Sequence, residues 1–227
     1  MASIIVVGTL SLSSPSARDR VLAEINTVSE YSRQNEHGVL KHSATVLRDD
    51  PTSTLLYVFE EYQNQAAFDA HLACPPVKRL LDWFESNPSL FAKQTVVLTL
   101  QPGCGMTRPS IVEKKDPFIV LTKTEFKDNR EAELSFLRWK ELRGSVERDE
   151  PGTLLYYVCA DKSDKTKVYS VEAYESEGSW AINHEKAANV IANKGIDAVE
   201  GRTRLEVLAL RKAGGYLARE HKHKAVL

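Results

Sequence analysis

Apolar and polar positions change their period along this chain in the same order twice. Ile4 to Leu12, rich in Ile and Val, reads as a strand. From Ser16 to Ser32, Val21, Leu22, Ile25 and Val28 recur at three- and four-residue spacing, which predicts a helix, and Pro15 and Ser16 suit its start. Glu36-His37-Gly38 breaks that period, Val39 to Leu47 is extended, and Asp49-Asp50-Pro51 turns into a strand over Thr54 to Tyr62. A second helical region begins at Gln65 and runs to Leu72. Pro75-Pro76 interrupts it and starts a new helix with Val77, Leu80, Leu81 and Phe84 on one face. Gln94 to Leu100 closes the series as a fourth strand.

The second half repeats the order. Phe118 to Phe126 reads as a strand, Asn129 to Leu142 as a helix carrying Leu134, Leu137 and Trp139, and Thr153 to Ala160 and Val168 to Tyr174 as strands. Glu177 to Asn193 reads as one helix and Thr203 to Leu210 as the last strand. Matching residues recur at a nearly constant offset: Glu36-x-Gly38 with Glu150-x-Gly152 at 114, Glu60-x-Tyr62 with Glu172-x-Tyr174 at 112, His71 with His184 at 113. Each copy is therefore a β-α-β-β-α-β unit in the ferredoxin-like order, an α+β fold. The expected division is a first domain over 1–101, a Pro/Gly-rich charged linker over 102–117, a second domain over 118–212 and a basic tail over 213–227. A sheet with helices on one face needs cover on the other. Here the two sheets are expected to close face to face as an internal pseudo-dimer, an intramolecular dimeric α+β barrel. Exposed strand edges would leave a homodimer open as well.

Composition narrows the function classes. Of 227 residues, 42% are hydrophobic and 27% charged, enough to bury a core. The formal net charge of -1 leaves no basic excess for nucleic acid. No stretch reaches the roughly 20 apolar residues of a membrane span, and the N-terminus lacks the basic start of a signal segment. Cys74, Cys104 and Cys159 are scattered, without a zinc-type spacing, so free thiols, no metal and a cytoplasmic location are expected. His221 and His223 lie in a basic tail; HKHK could hold a metal weakly, but a solvated tail is the plainer reading.

The E-x-G turn before the second strand, the E-x-aromatic end of the third, and a histidine some ten residues later resemble the antibiotic biosynthesis monooxygenase domain of the dimeric α+β barrel superfamily. The resemblance spans nearly the whole chain, twice. The first copy, EEYQNQAAFDAHLACPPVKRLL, is the nearer to that pattern. The second, VEAYESEGSWAINHEKAANVI, carries one extra residue before His184. The resemblance implies a pocket between helices and sheet in each unit. Quinone-forming members of the family oxidise anthrone-like aromatic polyketides of secondary metabolism with O2, without metal or flavin; no cofactor and the partners O2 and a small aromatic substrate are what it implies here. Other members are non-redox cyclases, isomerases or decarboxylases, or bind without catalysis, and those alternatives stay open. The heme-degrading branch places tryptophan and a ligating histidine ten residues apart in the second helical region. Here the matching positions hold His71 with Leu81 and His184 with Lys194, so heme degradation is not expected.

The candidate catalytic residues are His71, Tyr62 and Glu60. His71 shares a helix face with Phe68 and Ala67, and imidazole titrates near neutrality. Glu60 and Tyr62 share a strand face, where the carboxylate would tune the phenol. Candidate substrate-binding residues are Tyr57, His42, Phe68, Trp83, His184, Tyr174 and Trp180. Several carry structural readings too: His42, in a row with Leu40 and Ala44, would equally bond across the inter-sheet interface, and Tyr57, Trp83 and Trp180 would equally be core. The first copy is expected to carry the chemistry.

Overall fold

The computed structural model describes residues 3–220; the tail histidines lie outside them. Eight strands form a closed barrel in the order β1-β3-β2-β8-β5-β7-β6-β4, with every pairing antiparallel. The first unit comprises β1 (Ile4–Ser11), α1 (Pro15–Asn35), β2 (Val39–Leu47), β3 (Leu55–Tyr62), α2 (Gln65–Ala73), α3 (Pro75–Ser86) and β4 (Val96–Thr107). The second comprises β5 (Phe118–Phe126), α4 (Asn129–Glu141), α5 (Arg143–Asp149), β6 (Thr153–Asp161), β7 (Lys167–Tyr174), a π-helical turn (Ser179–His184), α6 (Ala188–Glu200) and β8 (Arg202–Tyr216).

Local chemistry starts the helices. Ser14 accepts from Ala17 N at 3.0 Å with Pro15 in the first turn of α1, Asn64 accepts from Ala67 N at 3.0 Å, and Asp128 accepts from Glu131 N at 3.0 Å. Strand alternation then sorts side chains to two faces. Ile5, Val7, Tyr57, Phe59, Leu100, Leu121, Leu155 and Tyr157 fill the barrel. Outside it, Leu56, Val58, Ala44 and Val46 pack under α1 and α3, while Tyr156, Val158 and Val168 pack under the helices of the second unit.

The two sheets do more than stack. They curl until β2 bonds to β8 and β4 bonds to β6, so the pseudo-dimer is sealed by two hydrogen-bonded seams. Among the described residues the closed barrel leaves no free strand edge for the expected edge-paired homodimer.

Several expectations shift. Residues 102–107 are not linker but part of β4, paired with β6. Pro102 and Gly103 sit at a bulge, where the strand needs no regular donor. A Cβ on Gly103 would lie 2.2 Å from the Phe136 ring, and one on Gly105 would lie 2.4 Å from the Tyr157 ring. These glycines admit rings rather than mark a turn. β8 likewise runs six residues beyond Leu210 to Tyr216, into the expected tail. Leu81, Leu134 and Leu137 point outward, and Ala132 and Ser135 face the sheet in α4 instead. Among the described residues, no helix is long and apolar enough to cross a membrane.

Candidate functional site

On the helix side of each half-barrel, a carboxylate from the end of the first helical stretch meets the histidine of the second. In the first unit Glu36 Oε2 lies 3.0 Å from His71 Nδ1 and accepts the Ser32 hydroxyl at 2.6 Å. In the second, Glu150 Oε2 lies 2.8 Å from His184 Nδ1 and accepts the Thr153 hydroxyl at 2.9 Å. The E-x-G motif is thus more than a turn: Gly38 and Gly152 let the chain pass against Ala67 and Ser179, where a Cβ would sit 2.6 and 2.7 Å from their side chains, and the glutamate reaches the imidazole. The sequence signal for Glu36 and Glu150 was their repeat; nothing in it marked them as the histidines' partners.

The extra residue of the second copy is absorbed by the π-turn. Phe68 and Trp180 each lie six residues beyond their tyrosine, but His71 follows Phe68 by three and His184 follows Trp180 by four. Glu185 N donates to Trp180 O at 2.9 Å, a five-residue step, and the widened turn returns His184 to the place His71 occupies. The rings of Tyr62 and His71 are 5.4 Å apart, and those of Tyr174 and His184 are 5.5 Å apart.

The strand-end tyrosines are fully buried. Tyr62 donates to Glu60 Oε2 at 2.6 Å and Tyr174 to Glu172 Oε2 at 2.5 Å. Burial first, and then the adjacent carboxylate, push both phenols well above their ordinary range. The carboxylate therefore does not make Tyr62 more acidic; the phenol stays protonated and orients the carboxylate.

The structure brings His71, Tyr62, Glu60 and His42 together, with Phe68 edge-on to Tyr62 at 5.1 Å. His42 faces α1 rather than the inter-sheet interface: Ser29 Oγ lies 2.7 Å from its Nδ1, and burial holds its pKa below the ordinary value. A bulge at Leu40 takes that residue out of the His42–Ala44 row. Tyr57 points the other way, into the barrel, and Trp83 packs against the Leu10–Val21 cluster beneath Arg20. Neither joins the histidine cluster.

The two units differ in openness. α3 packs on α1 with Leu80, Trp83 and Phe84 turned into the apolar cluster. α6 meets α4 through Asp197, which accepts from Arg138 at 2.7 Å and from Trp139 Nε1 at 2.8 Å. Beneath that polar contact lies a cavity of about 320 Å³. His184, Glu172, Trp139, Trp180, Tyr169 and Val207 are among its walls, and Lys194 and Arg202 lie on it. Trp180 is stacked on Phe118 at 5.3 Å. The pocket thus belongs to the copy expected to be the weaker one. Trp139, Tyr169, Lys194, Asp197 and Arg202 were not foreseen as its walls, because they come from four elements whose meeting no local pattern records. Burial pulls the His184 pKa down, but its bond to Glu150 and the charges of Glu172, Glu150 and Glu185 outweigh this and raise it. A buried imidazole backed by one carboxylate and facing a cavity can take a proton at Nε2.

The sequence profile of the antibiotic biosynthesis monooxygenase family matches residues 3–83 and again residues 117–190. Among solved structures, a candidate monooxygenase of Fusobacterium nucleatum superposes with a TM-score of 0.82 at 18% identity, covering 96% of each chain. A candidate monooxygenase of Lactobacillus acidophilus does so at 0.76 and 20% identity, covering 96% of this chain and 99% of that one. An anthrone oxidase-like protein follows at 0.65 and 12% identity, covering 93% and 92%. At these identities the likeness is one of fold. No curated protein matches the sequence.

Proposed function

The chain belongs to the antibiotic biosynthesis monooxygenase family, and on that premise we infer that its second unit oxidises a flat, phenolic, anthrone-like molecule with O2. The observation that carries this reading is the cavity walled by Trp139 and Trp180, with His184, backed by Glu150, on its wall. Aromatic walls suit a fused-ring substrate. The substrate class comes from the family, and the anthrone oxidase-like neighbour names the compound to try first.

The chemistry follows from proton transfer alone. His184 Nε2 removes a proton from the substrate's activated methylene, whose electrons delocalise into the phenolic rings, and Glu150 stabilises the imidazolium that forms. The carbanion carbon bonds to O2 and reduces it to a peroxide. The peroxide takes up a proton, the second C–H proton leaves, and the O–O bond breaks to give a quinone carbonyl and one water. The substrate supplies all the electrons. Lys194 and Arg202 on the cavity wall favour the anionic state.

The test is oxygen uptake and quinone formation with anthrone under air and under argon. Turnover is expected under air alone and falls on the order of 10²-fold in His184→Gln. Product formed equally under argon would move the reading to a non-redox cyclase, isomerase or decarboxylase in the same cavity.

A further inference from the structure

The units diverge at one buried position that the proposed oxidation does not use. Where the second unit has Tyr156, whose hydroxyl donates to Trp139 O at 3.0 Å, the first has His42. The hydrogen bonds around His42 fix its proton. The Ser29 hydroxyl donates to Ile25 O at 3.0 Å, and a carbonyl only accepts. In the tautomer this favours, Ser29 Oγ accepts from His42 Nδ1 across their 2.7 Å contact. The neutral ring then presents a bare lone pair at Nε2, 3.4 Å from Glu60 Oε1, which is also an acceptor.

His71 is held the same way. Its Nδ1 faces the Glu36 carboxylate at 3.0 Å, which leaves Nε2 of the neutral ring as a lone pair. Glu60 in turn is aimed by the Tyr62 hydroxyl, which donates to its other oxygen at 2.6 Å. One ligand atom from each of His42, Glu60 and His71 lies within 4.8 Å of the others. His42 and His71 are 2% and 3% exposed.

We propose that His42, Glu60 and His71 form a binding site for a divalent transition-metal ion of the zinc type. Two imidazoles and one carboxylate, each imidazole fixed by a partner at its far nitrogen, make the donor set and outer support that such ions take. The spacing fits. Ligand atoms about 2.1 Å from one ion at a tetrahedral angle stand about 3.4 Å apart, and the His42–Glu60 separation is 3.4 Å. Charge fits too: Glu60 and Glu36 supply two carboxylates against a doubly charged ion in a poorly solvated place. The second unit lacks the site because Tyr156 offers no imidazole.

The test uses the full chain with His221→Ala and His223→Ala, so that tail imidazoles do not contribute. Titration with Co²⁺, followed by its visible absorption and displaced by Zn²⁺, is expected to saturate at one equivalent. His42→Tyr should weaken binding at least 100-fold; the second unit shows that the barrel accommodates tyrosine there, and thermal unfolding reports whether the variant folds. The near-isosteric Glu60→Gln should lose binding comparably, and Ser29→Ala should weaken it about 10- to 100-fold. Zn²⁺ should raise the melting temperature of the parent and not of His42→Tyr. His184→Gln should still bind one equivalent. No saturable signal, or binding as tight in His42→Tyr and Glu60→Gln as in the parent, overturns the site.

Discussion

Glu150 Oε2 lies 2.8 Å from Nδ1 of His184, on the helix side of the second half-barrel. That contact sets both the orientation and the basicity of the imidazole, so Glu150→Gln should act through His184. The amide removes the charge that raises the histidine's pKa. The acid limb of the pH–rate profile should move to lower pH, and kcat should fall by roughly 10- to 100-fold. Stability should drop by about 2 kcal/mol for a lost charged hydrogen bond. A profile that does not move would mean that His184 is not the group titrating in turnover.

The same pair predicts how stability follows pH. His184 is faced by Glu150, Glu172 and Glu185 and by the Tyr156 and Tyr174 rings, and its folded pKa is raised. A raised value means that the folded state holds the proton more tightly than the unfolded one. The stabilisation is then complete below the unfolded value of about 6.5 and is lost as pH rises through the folded value. Melting temperatures of the parent and His184→Gln, measured across that window, should converge as pH increases. Divergence would reverse the assignment.

The π-turn predicts an asymmetry between the copies. Deleting the exposed Ile182 should let Ser179–His184 relax to an α-helical turn with His184 still against Glu150, because that is the spacing by which His71 reaches Glu36. Deleting Asp69 from α2 should rotate His71 by about 100° away from Glu36 and unfold the first unit's cluster. Circular dichroism melts compare them directly: a small shift for the first deletion and a large one for the second.

Much of this was legible because periodicity is local. The strands of both units, the start of α1 and the break at Pro75 follow from spacing and turn chemistry, and the duplication follows from Glu36, Glu60 and His71 recurring in Glu150, Glu172 and His184. What was not legible depends on tertiary closure. Pro102, Gly103 and Gly105 have the composition of a loop, yet the barrel needs β4 to reach β6, and a bulge with room for two rings lets it. Glu177 to Asn193 keeps an apolar period through a π-turn and a break that no spacing announces. The cavity arises because α6 meets α4 through Asp197 rather than through apolar residues.

Gly215 ties the β2–β8 seam to His42. Its φ is 71°, and a Cβ there would lie 2.0 Å from the carbonyl oxygen of His42. Gly215→Ala should therefore cost at least about 2 kcal/mol, from left-handed backbone strain and a clash with main chain that cannot swing aside. Gly195, inside α6 with nothing within 4 Å of its would-be Cβ, is the control. Gly195→Ala should stabilise by up to about 1 kcal/mol. Urea midpoints of the two variants should move in opposite directions.

Inside the barrel, Lys41 Nζ donates to Glu61 Oε2 at 2.6 Å and to the Tyr157 hydroxyl at 3.2 Å, and Tyr157 donates to the same Glu61 oxygen at 3.0 Å. Tyr157 comes from the second unit, so this buried cluster crosses between them. Burial alone would depress Lys41, but the charge of Glu61, with Tyr157, outweighs it and raises the ammonium's pKa. Among the described residues each ion has the other as its charged partner, with the neutral Tyr157 hydroxyl between them. Glu61→Leu should therefore cost about 3–5 kcal/mol, because Lys41 is left charged and buried. Lys41→Met with Glu61→Leu removes both charges and keeps the volume, while Tyr157 keeps Thr107 Oγ1 at 3.3 Å. The double variant should lie within about 1 kcal/mol of the parent or above it. A double variant that stays several kcal/mol below the parent would instead mean that the ion pair holds the two half-barrels together in its own right.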